Sequence, residues 1–260
     1  PMPPGATRVT RPATQATAVA LDHLRLLLDA LVALGQRYEV LVQVATFDAE
    51  LPSTGGFDVR HTDREVILTR VDPRSSDFEF VNAQAGIFAT NCAVPSALGA
   101  PLTFRRGWAS VDVRWRRREL RFVSTHMEGA CGAATPAIQQ SQVADLLGGP
   151  ASTALPVVLV GDLNSAGDGT GLAYNQLVAS GMRDAAVIAG LGNAFTCCQA
   201  PDLMNPTPLL DRRIDVVLAK PSVKVIGASL VGESAADRSA GGRWPSDHAG
   251  VVARMQLVRE

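Results

Sequence analysis

Apolar side chains recur at helical spacing near the start of the chain. Between about Gln15 and Leu34, leucine and alanine fall repeatedly on one face, and Gly35 then supplies a C-terminal stop. This pattern predicts a first helix over those residues. Two further helices are predicted at Pro136–Leu147 and Leu172–Ser180.

Most of the remaining chain consists of short apolar runs broken by turn residues, a pattern typical of strands. The predicted strands are Tyr38–Thr46, Glu65–Val71, Phe78–Phe88, Gly107–Trp115, Leu120–Thr125, Leu155–Val160, Ile214–Leu218, Val223–Val231 and Gly250–Val258. Consecutive strands such as Gly107–Trp115 and Leu120–Thr125 lack room for a crossover helix between them, so they predict hairpins. The pattern therefore favours a mixed or antiparallel α+β layered fold over a purely parallel doubly wound sheet.

Length and composition are those of one domain without a membrane span. The chain has 260 residues, of which 47% are hydrophobic, enough for one substantial core. Residues 1–14, rich in Pro, Thr and Ala, are interpreted as a disordered or extended lead-in, and 15–260 as a single monomeric domain. The net charge of -1 gives no whole-chain argument for binding nucleic acid or an acidic membrane surface.

Four cysteines are too few for a disulfide framework at this length, and no CxxC pair suggests zinc. The favoured interpretation is that they are small buried side chains. Neighbouring Cys197 and Cys198 are not expected to bond each other. A bridge from Cys131 to either of them stays open if the protein is exported, and the sequence leaves the compartment open.

Several polar clusters lie at the ends of predicted strands. His126 and Asp162 follow apolar runs, whereas Asp215 and the pair Asp247-His248 come just before apolar runs. In a sheet that mixes strand directions, the exits of one set and the entries of the other share an edge. Each cluster alone has a structural explanation, such as a turn or an ion pair. Together they favour one crevice lined by all of these side chains.

These side chains suit metal-assisted attack of water on a phosphoester. A divalent cation neutralises charge on the ester oxygens and lowers the pKa of bound water. Mg²⁺ prefers oxygen ligands at near-octahedral geometry. Asp247 is the first candidate metal ligand, and Asp162 and Asn164 could hold a second ion or the attacking water.

The histidines are the candidates for proton transfer and phosphate contact. His248 is interpreted as the general base or a phosphate partner, with Asp215 accepting from its other ring nitrogen and fixing the tautomer. His126 would lie across the phosphate, donating to a non-bridging oxygen or assisting the leaving group. Asn164 is suited to donate a hydrogen bond while Asp162 accepts from water. Whether Asp162 or His248 takes the proton stays open.

The clusters resemble those of the endonuclease/exonuclease/phosphatase superfamily, the DNase I-like phosphoesterases. The matching stretches are Ser124–Glu128, Val160–Asn164, Arg213–Leu218 and Ser246–Val251, within a similarity that covers roughly residues 15 to 258. The resemblance implies a four-layer α/β/β/α sandwich of two mixed, largely antiparallel sheets. It also implies Mg²⁺ or Mn²⁺ dependence and hydrolysis of a phosphodiester or phosphomonoester. The substrate could be a nucleic acid, a phospholipid headgroup or a small phosphoester.

One part of the family pattern is missing. The family opens with a strand that carries a metal-site Asn, followed by a Gln-Glu whose carboxylate is a principal metal ligand. The nearest string, Gln43-Val44, lies past the point where that glutamate belongs. We therefore interpret the sequence as N-terminally truncated, without its first strand and one metal ligand. A catalytically impaired or non-catalytic remnant is thus the main alternative to an active hydrolase.

Overall fold

The three predicted helices are present, except that the first begins later than predicted, and a fourth, short helix was not predicted. A computed structural model describes residues 16–53, 55–72, 78–95, 101–116 and 118–257, so the predicted lead-in lies outside it. The helices are α1 (His23–Ala33), α2 (Thr135–Gly148), α3 (Leu172–Ala179) and α4 (Ala185–Ile188), with 3₁₀ turns at Gly132–Ala134 and Ala235–Asp237.

The prediction that α1 begins near Gln15 was wrong. The Asp22 carboxylate accepts the backbone N–H of Arg25 at 3.3 Å and caps the helix, so the helical turns start at His23. The apolar face of α1 is only half-buried, and no residue of the helix is fully buried.

All nine predicted strands are present, most with small shifts at their ends. The strands are β1 (Arg37–Pro52), β2 (Asp58–Asp72), β3 (Phe78–Ile87), β4 (Cys92–Val94), β5 (Leu102–Phe104), β6 (Gly107–Trp115), β7 (Arg118–His126), β8 (Val157–Asp162), β9 (Arg183–Asp184), β10 (Asp215–Ala219), β11 (Val223–Val231) and β12 (Gly250–Leu257). The short strands β4, β5 and β9 were not predicted. The hairpin β1–β2 is considerably longer than the apolar runs indicated, because polar residues also pair along it.

A six-stranded mixed sheet with the order β3-β6-β7-β8-β10-β9 forms the centre of the fold. The chain runs from β7 through α2 to β8, which gives it the length that a parallel connection needs, and β7 and β8 are parallel. The other neighbours in this sheet are antiparallel. The predicted α+β class with a mixed sheet is confirmed.

Both faces of the central sheet are covered. Helices α2 and α3 pack on one face, and the core there includes Val123, Val143, Leu146, Leu159, Leu177 and Leu218. Hairpin β11–β12 covers part of the other face through Val158, Val217, Val225 and Met255, and hairpin β1–β2 covers the rest through Ile67, Ala109 and Val111. Each fully buried valine, leucine or isoleucine side chain in this core stabilises the fold by about 1.5–3 kcal/mol. With α1 against β1 and α4 against β11, the layers are α/β/β/α.

The cysteine pairing differs from the expectations. Cys92 in β4 is bonded to Cys131, with their Cα atoms 5.7 Å apart. Cys131 therefore does not pair with Cys197 or Cys198, which are neighbours elsewhere in the chain, and the absence of a bond between those two stays a prediction. Spacing alone carries no information on pairing, because the partner of Cys131 is decided by where the chain after β7 meets β4.

Gly161 permits the close approach of β7 and β8 next to the predicted site. Its φ angle is 144°, and a Cβ atom there would overlap the backbone carbonyl oxygen of Thr125. A side chain at this position would have to push the two strands apart. The glycine of the Gly-Asp-x-Asn motif is thus required by packing.

Gly161→Ala is expected to lower the free energy of unfolding by about 3 kcal/mol or more, because the methyl group meets rigid backbone. Urea denaturation measures this. The control is Gly148→Ala at the end of α2, where a Cβ meets no atom within 4 Å and a gain of up to about 1 kcal/mol is expected. Equal stability of both variants would contradict the account.

Candidate active site

Three of the predicted site residues lie side by side across three adjacent strands. His126 ends β7, Asp162 ends β8 and Asp215 begins β10. The register pairs His126 with Asp162, and Asp162 with Asp215. Directly opposed residues on strands about 4.8 Å apart point to the same face. The predicted meeting of strand exits and entries is therefore present as one row of side chains.

Asn164 is turned back onto this row by the loop after β8. Its φ angle is 48°, and its backbone N–H donates to Asp162 Oδ1 at 2.7 Å, which closes an Asx turn. The Asn164 amide nitrogen donates to the carbonyl of Met127 at 3.0 Å and lies 3.1 Å from His126 Nε2. Gln139 of α2 donates to the Asn164 carbonyl at 2.8 Å. The asparagine is thus held from both sides beside the histidine.

His248 joins the row through Asp215. Its Nδ1 atom lies 2.8 Å from Asp215 Oδ2, and because a carboxylate only accepts, Nδ1 carries the proton. This hydrogen bond raises the pKa of His248 above its ordinary value. The hydroxyl of Thr196 accepts from the backbone N–H groups of Ile214 and Asp215, and the Thr196 carbonyl accepts from Ala249. Thr196 thus ties the two segments that carry the pair.

Burial raises the pKa of Asp162 to about 6, and the charge of Asp215 adds to the effect. One ligand atom each of Asp162, Asp215 and His248 lies within 4.8 Å of the others. Two close carboxylates that repel each other in a half-buried position would be relieved by a cation. Oxygen donors are also those that a hard divalent ion prefers, so the residues present fit such an ion.

Asp247 lies further out than the other five predicted residues. Its side chain is exposed, and in the described part of the chain its carboxylate contacts the Ser246 hydroxyl at 3.4 Å. Its backbone carbonyl accepts from Gln199, which fixes the loop. Its charge is one of the smaller causes of the raised pKa of His248. The role of Asp247 as a metal ligand stays a prediction.

Two charged residues that the sequence did not indicate also reach the site. Glu65 of β2 has a side chain that is only 12% exposed, and its Oε1 lies 3.8 Å from His126 Nδ1. Arg106, directly before β6, places Nη1 3.2 Å from the same nitrogen. Burial lowers the pKa of His126 to about 4, and the charge of Arg106 contributes to the shift. His126 is therefore neutral at pH values near neutrality.

An apolar cavity adjoins the row of site residues. It has a volume of about 400 Å³, lies between β12 and the central sheet, and includes Gly161 and Asp215 in its lining. The apolar part of the lining includes Phe122, Val158, Val160, Val217, Val251 and Met255. A few polar groups beside a concave apolar surface are typical of small-molecule sites.

Glu65→Gln is expected to remove a pH dependence of stability. Burial raises the pKa of Glu65 from 4.5 to about 7, so the folded state binds a proton more tightly than the unfolded state and loses stability as the pH rises between those values. At about 1.4 kcal/mol per pKa unit, the loss is about 3 kcal/mol.

Urea unfolding of the wild type and Glu65→Gln at about pH 5 and pH 8 measures the difference. Relative to the wild type, the free energy of unfolding of Glu65→Gln should be higher at pH 8 than at pH 5. Glu79→Gln is the control, since that side chain is 64% exposed, and it should follow the wild type. A constant gap between Glu65→Gln and the wild type at both pH values would refute the shift.

Comparison with known proteins assigns most of the chain to a family. A family model described as the Endonuclease/Exonuclease/phosphatase family matches residues 32–248. No curated protein matches the chain significantly.

Solved structures match most of its length at low sequence identity. A mannosyl-6-phosphatase from Bacteroides thetaiotaomicron has a TM-score of 0.59 and 20% identity, covering 90% of this chain and 82% of that one. The catalytic domain of human nocturnin, with a bound sulfate anion, has a TM-score of 0.52 and 17% identity, covering 88% and 75%. TDP2 from D. rerio, complexed with a single-strand DNA product, has a TM-score of 0.52 and 17% identity, covering 90% and 91%. At these identities the likeness shows the fold.

Proposed function

The chain belongs to the endonuclease/exonuclease/phosphatase family, and we propose that it is a divalent-metal-dependent phosphoesterase that hydrolyses its substrate with activated water. The observation that carries the proposal is the row of His126, Asp162 and Asp215, with His248 bound to Asp215. A phosphatase and a DNA-bound protein among the solved relatives support the phosphoester class. They do not choose between a monoester and a diester.

Asp162 and Asn164 would hold the cation, with the Asp215 carboxylate close by and Asp247 as a further predicted ligand. The bound ion would neutralise charge on the phosphate oxygens and lower the pKa of water. The raised pKa of Asp162 supports this assignment, because burial and the charge of Asp215 both disfavour its ionised form without a counter-ion.

His248 is the better candidate for the general base. Its Nδ1–H donates to Asp215, so the lone pair lies on Nε2. The Cys198 sulfur lies 3.8 Å from Nε2, and a cysteine sulfur is at most a weak donor, so this lone pair stays open to the attacking water. The hydrogen bond from Nδ1 also holds the ring orientation and makes Nε2 more basic.

His126 and Asn164 would contact the phosphate as neutral groups. Both side chains lie at the same end of the row, 3.1 Å apart. The low pKa of His126 keeps the ring uncharged near neutrality, and a neutral imidazole can donate one hydrogen bond, from the nitrogen that carries its proton. Donors fixed in place before the reaction stabilise charge on the phosphate oxygens without reorganisation.

Hydrolysis of bis-p-nitrophenyl phosphate and p-nitrophenyl phosphate by the full chain tests the activity. Turnover should require Mg²⁺ or Mn²⁺, stop on addition of EDTA and return when the metal is restored. Isothermal titration with the same ions should show binding. Neither binding nor turnover would support the alternative of an impaired remnant and overturn the proposal.

His248→Ala should lower kcat by at least about a hundredfold, because general-base catalysis contributes on that order or more. Its far-UV circular dichroism should match that of the wild type. His23→Ala, an exposed histidine on α1, should leave the rate unchanged. Near-normal metal-dependent turnover by His248→Ala would refute the assigned role.

A further inference from the structure

Arg106 approaches His126 from the side opposite to Asp162. Its Nη1 atom lies 3.2 Å from His126 Nδ1, and its side chain is only 15% exposed. Backbone contacts fix its position: the Arg106 N–H donates to the Asn91 side chain at 2.8 Å, and its carbonyl accepts from Phe88 at 2.9 Å. The following residue, Gly107, pairs directly with His126 in the sheet.

The chemistry of the two groups assigns the proton on the ring. A guanidinium carries only donors and does not lose its charge in proteins. The nitrogen that faces it, His126 Nδ1, must therefore accept. A neutral imidazole with an accepting Nδ1 carries its proton on Nε2, and that atom lies 3.4 Å from the Asp162 carboxylate, an acceptor.

One contact favours the opposite tautomer. The Asn164 amide nitrogen lies 3.1 Å from His126 Nε2 and would donate to it if Nδ1 carried the proton. That arrangement would set an N–H of the ring against an N–H of Arg106. A charge-assisted hydrogen bond is roughly twice as strong as a neutral one, so the arginine decides the tautomer. The Asn164 amide keeps its bond to the Met127 carbonyl at 3.0 Å.

The nearby carboxylate of Asp63 does not engage Arg106 fully, since its Oδ2 is 3.9 Å from Arg106 Nη1, beyond hydrogen-bond length. Glu65 Oε1, at 3.8 Å from His126 Nδ1, is likewise too far away to accept a proton from that nitrogen. Arg106 Nε is buried, with no partner among the residues that the structure describes. A purely structural ion pair therefore does not account for the placement of this side chain.

We propose that Arg106 is a positioning residue that fixes His126 as the neutral Nε2–H tautomer. The ring then presents a hydrogen-bond donor towards Asp162 and the site of the phosphoester. The catalytic consequence rests on the proposed function. The tautomer itself is a property of the protein without substrate, so it can be tested separately.

Long-range ¹H–¹⁵N correlation spectra of the full chain labelled with [¹⁵N]histidine, recorded with EDTA near neutral pH, report the tautomer of each ring. The chain has only 4 histidines, and His126→Gln identifies the signals of His126 by their loss. The expected pattern is a protonated Nε2 and an unprotonated Nδ1. A proton on Nδ1, or on both nitrogens, would overturn the proposal without any variant at Arg106.

The role of Arg106 is tested with Arg106→Met, Arg106→Lys and the control Arg105→Met, since Arg105 is the exposed neighbour. Arg106→Met should shift His126 towards the Nδ1–H form and lower kcat at least about tenfold. Arg106→Lys, which keeps a cationic donor, should retain the wild-type pattern, as should Arg105→Met. A wild-type tautomer in folded Arg106→Met overturns the proposal, as does loss of the Nε2–H form in Arg106→Lys.

The tautomer of His126 and the phosphoesterase function can be refuted independently of each other. Expected spectra in a protein without turnover would sink the phosphoesterase function and leave the tautomer assignment standing. Metal-dependent turnover by a protein whose His126 carries its proton on Nδ1 would refute the tautomer assignment and support the phosphoesterase function. If Arg106→Met does not fold, as judged by circular dichroism, the spectra of the wild type and Arg106→Lys decide the outcome.

Discussion

The candidate site depends on the parallel pairing of β7 with β8 beside the antiparallel pairing of β8 with β10. Parallel neighbours end at the same edge of a sheet, and an antiparallel neighbour begins there. This alone brings His126, Asp162 and Asp215 into one row although they are far apart in the sequence. The crossover through α2 makes the parallel pair possible, and Gly161 lets its strands approach. The loop segment at Thr196 then secures His248 to the end of the row.

The same edge concentrates charges in half-buried positions. Asp162 and Glu65 have raised pKa values because burial disfavours their charged forms, and His126 has a lowered pKa for the same reason. Such an arrangement costs folding stability unless the charges are paired. Clusters of perturbed groups beside a cavity are typical of sites that bind charged ligands. The arrangement is accounted for if a cation and a phosphate complete it.

Strand positions and the residues at strand ends could be predicted, because they depend on short stretches of sequence. Strands β6 and β11 were predicted to the residue, because arginines bound the apolar run of β6 and turn residues bound that of β11. The gathering of His126, Asp162, Asn164, Asp215 and His248 followed from their places at strand ends. The true start of α1 depends on a single cap at Asp22. The polar length of hairpin β1–β2 has no apolar signal, since cross-strand partners rather than burial hold it.

Contacts between distant segments were out of reach of the sequence. Glu65 lies in an ordinary alternating strand, and Arg106 is one of two consecutive arginines, so neither stood out. The approach of Glu65 to His126 depends on how the β1–β2 hairpin packs over β6 and β7, and that of Arg106 depends on the β6–β7 register, which pairs Gly107 with His126. The pairing of Cys92 with Cys131 likewise depends on where β4 meets the segment that follows β7. The motif of Asp247 predicts a metal ligand, and its exposed carboxylate is not part of the row of His126, Asp162 and Asp215, so that role stays a prediction.

Mn²⁺ binding followed by electron paramagnetic resonance tests the central claim most directly, because it reports the cation without relying on turnover. Wild-type protein should bind Mn²⁺ in competition with Mg²⁺. Asp162→Asn should lose most of this binding. The control is Asp168→Asn, which changes a loop carboxylate that accepts a hydrogen bond from Thr170, and it should bind Mn²⁺ as the wild type does. Equal Mn²⁺ binding by wild type and Asp162→Asn, or none by either, would contradict a cation site at this sheet edge.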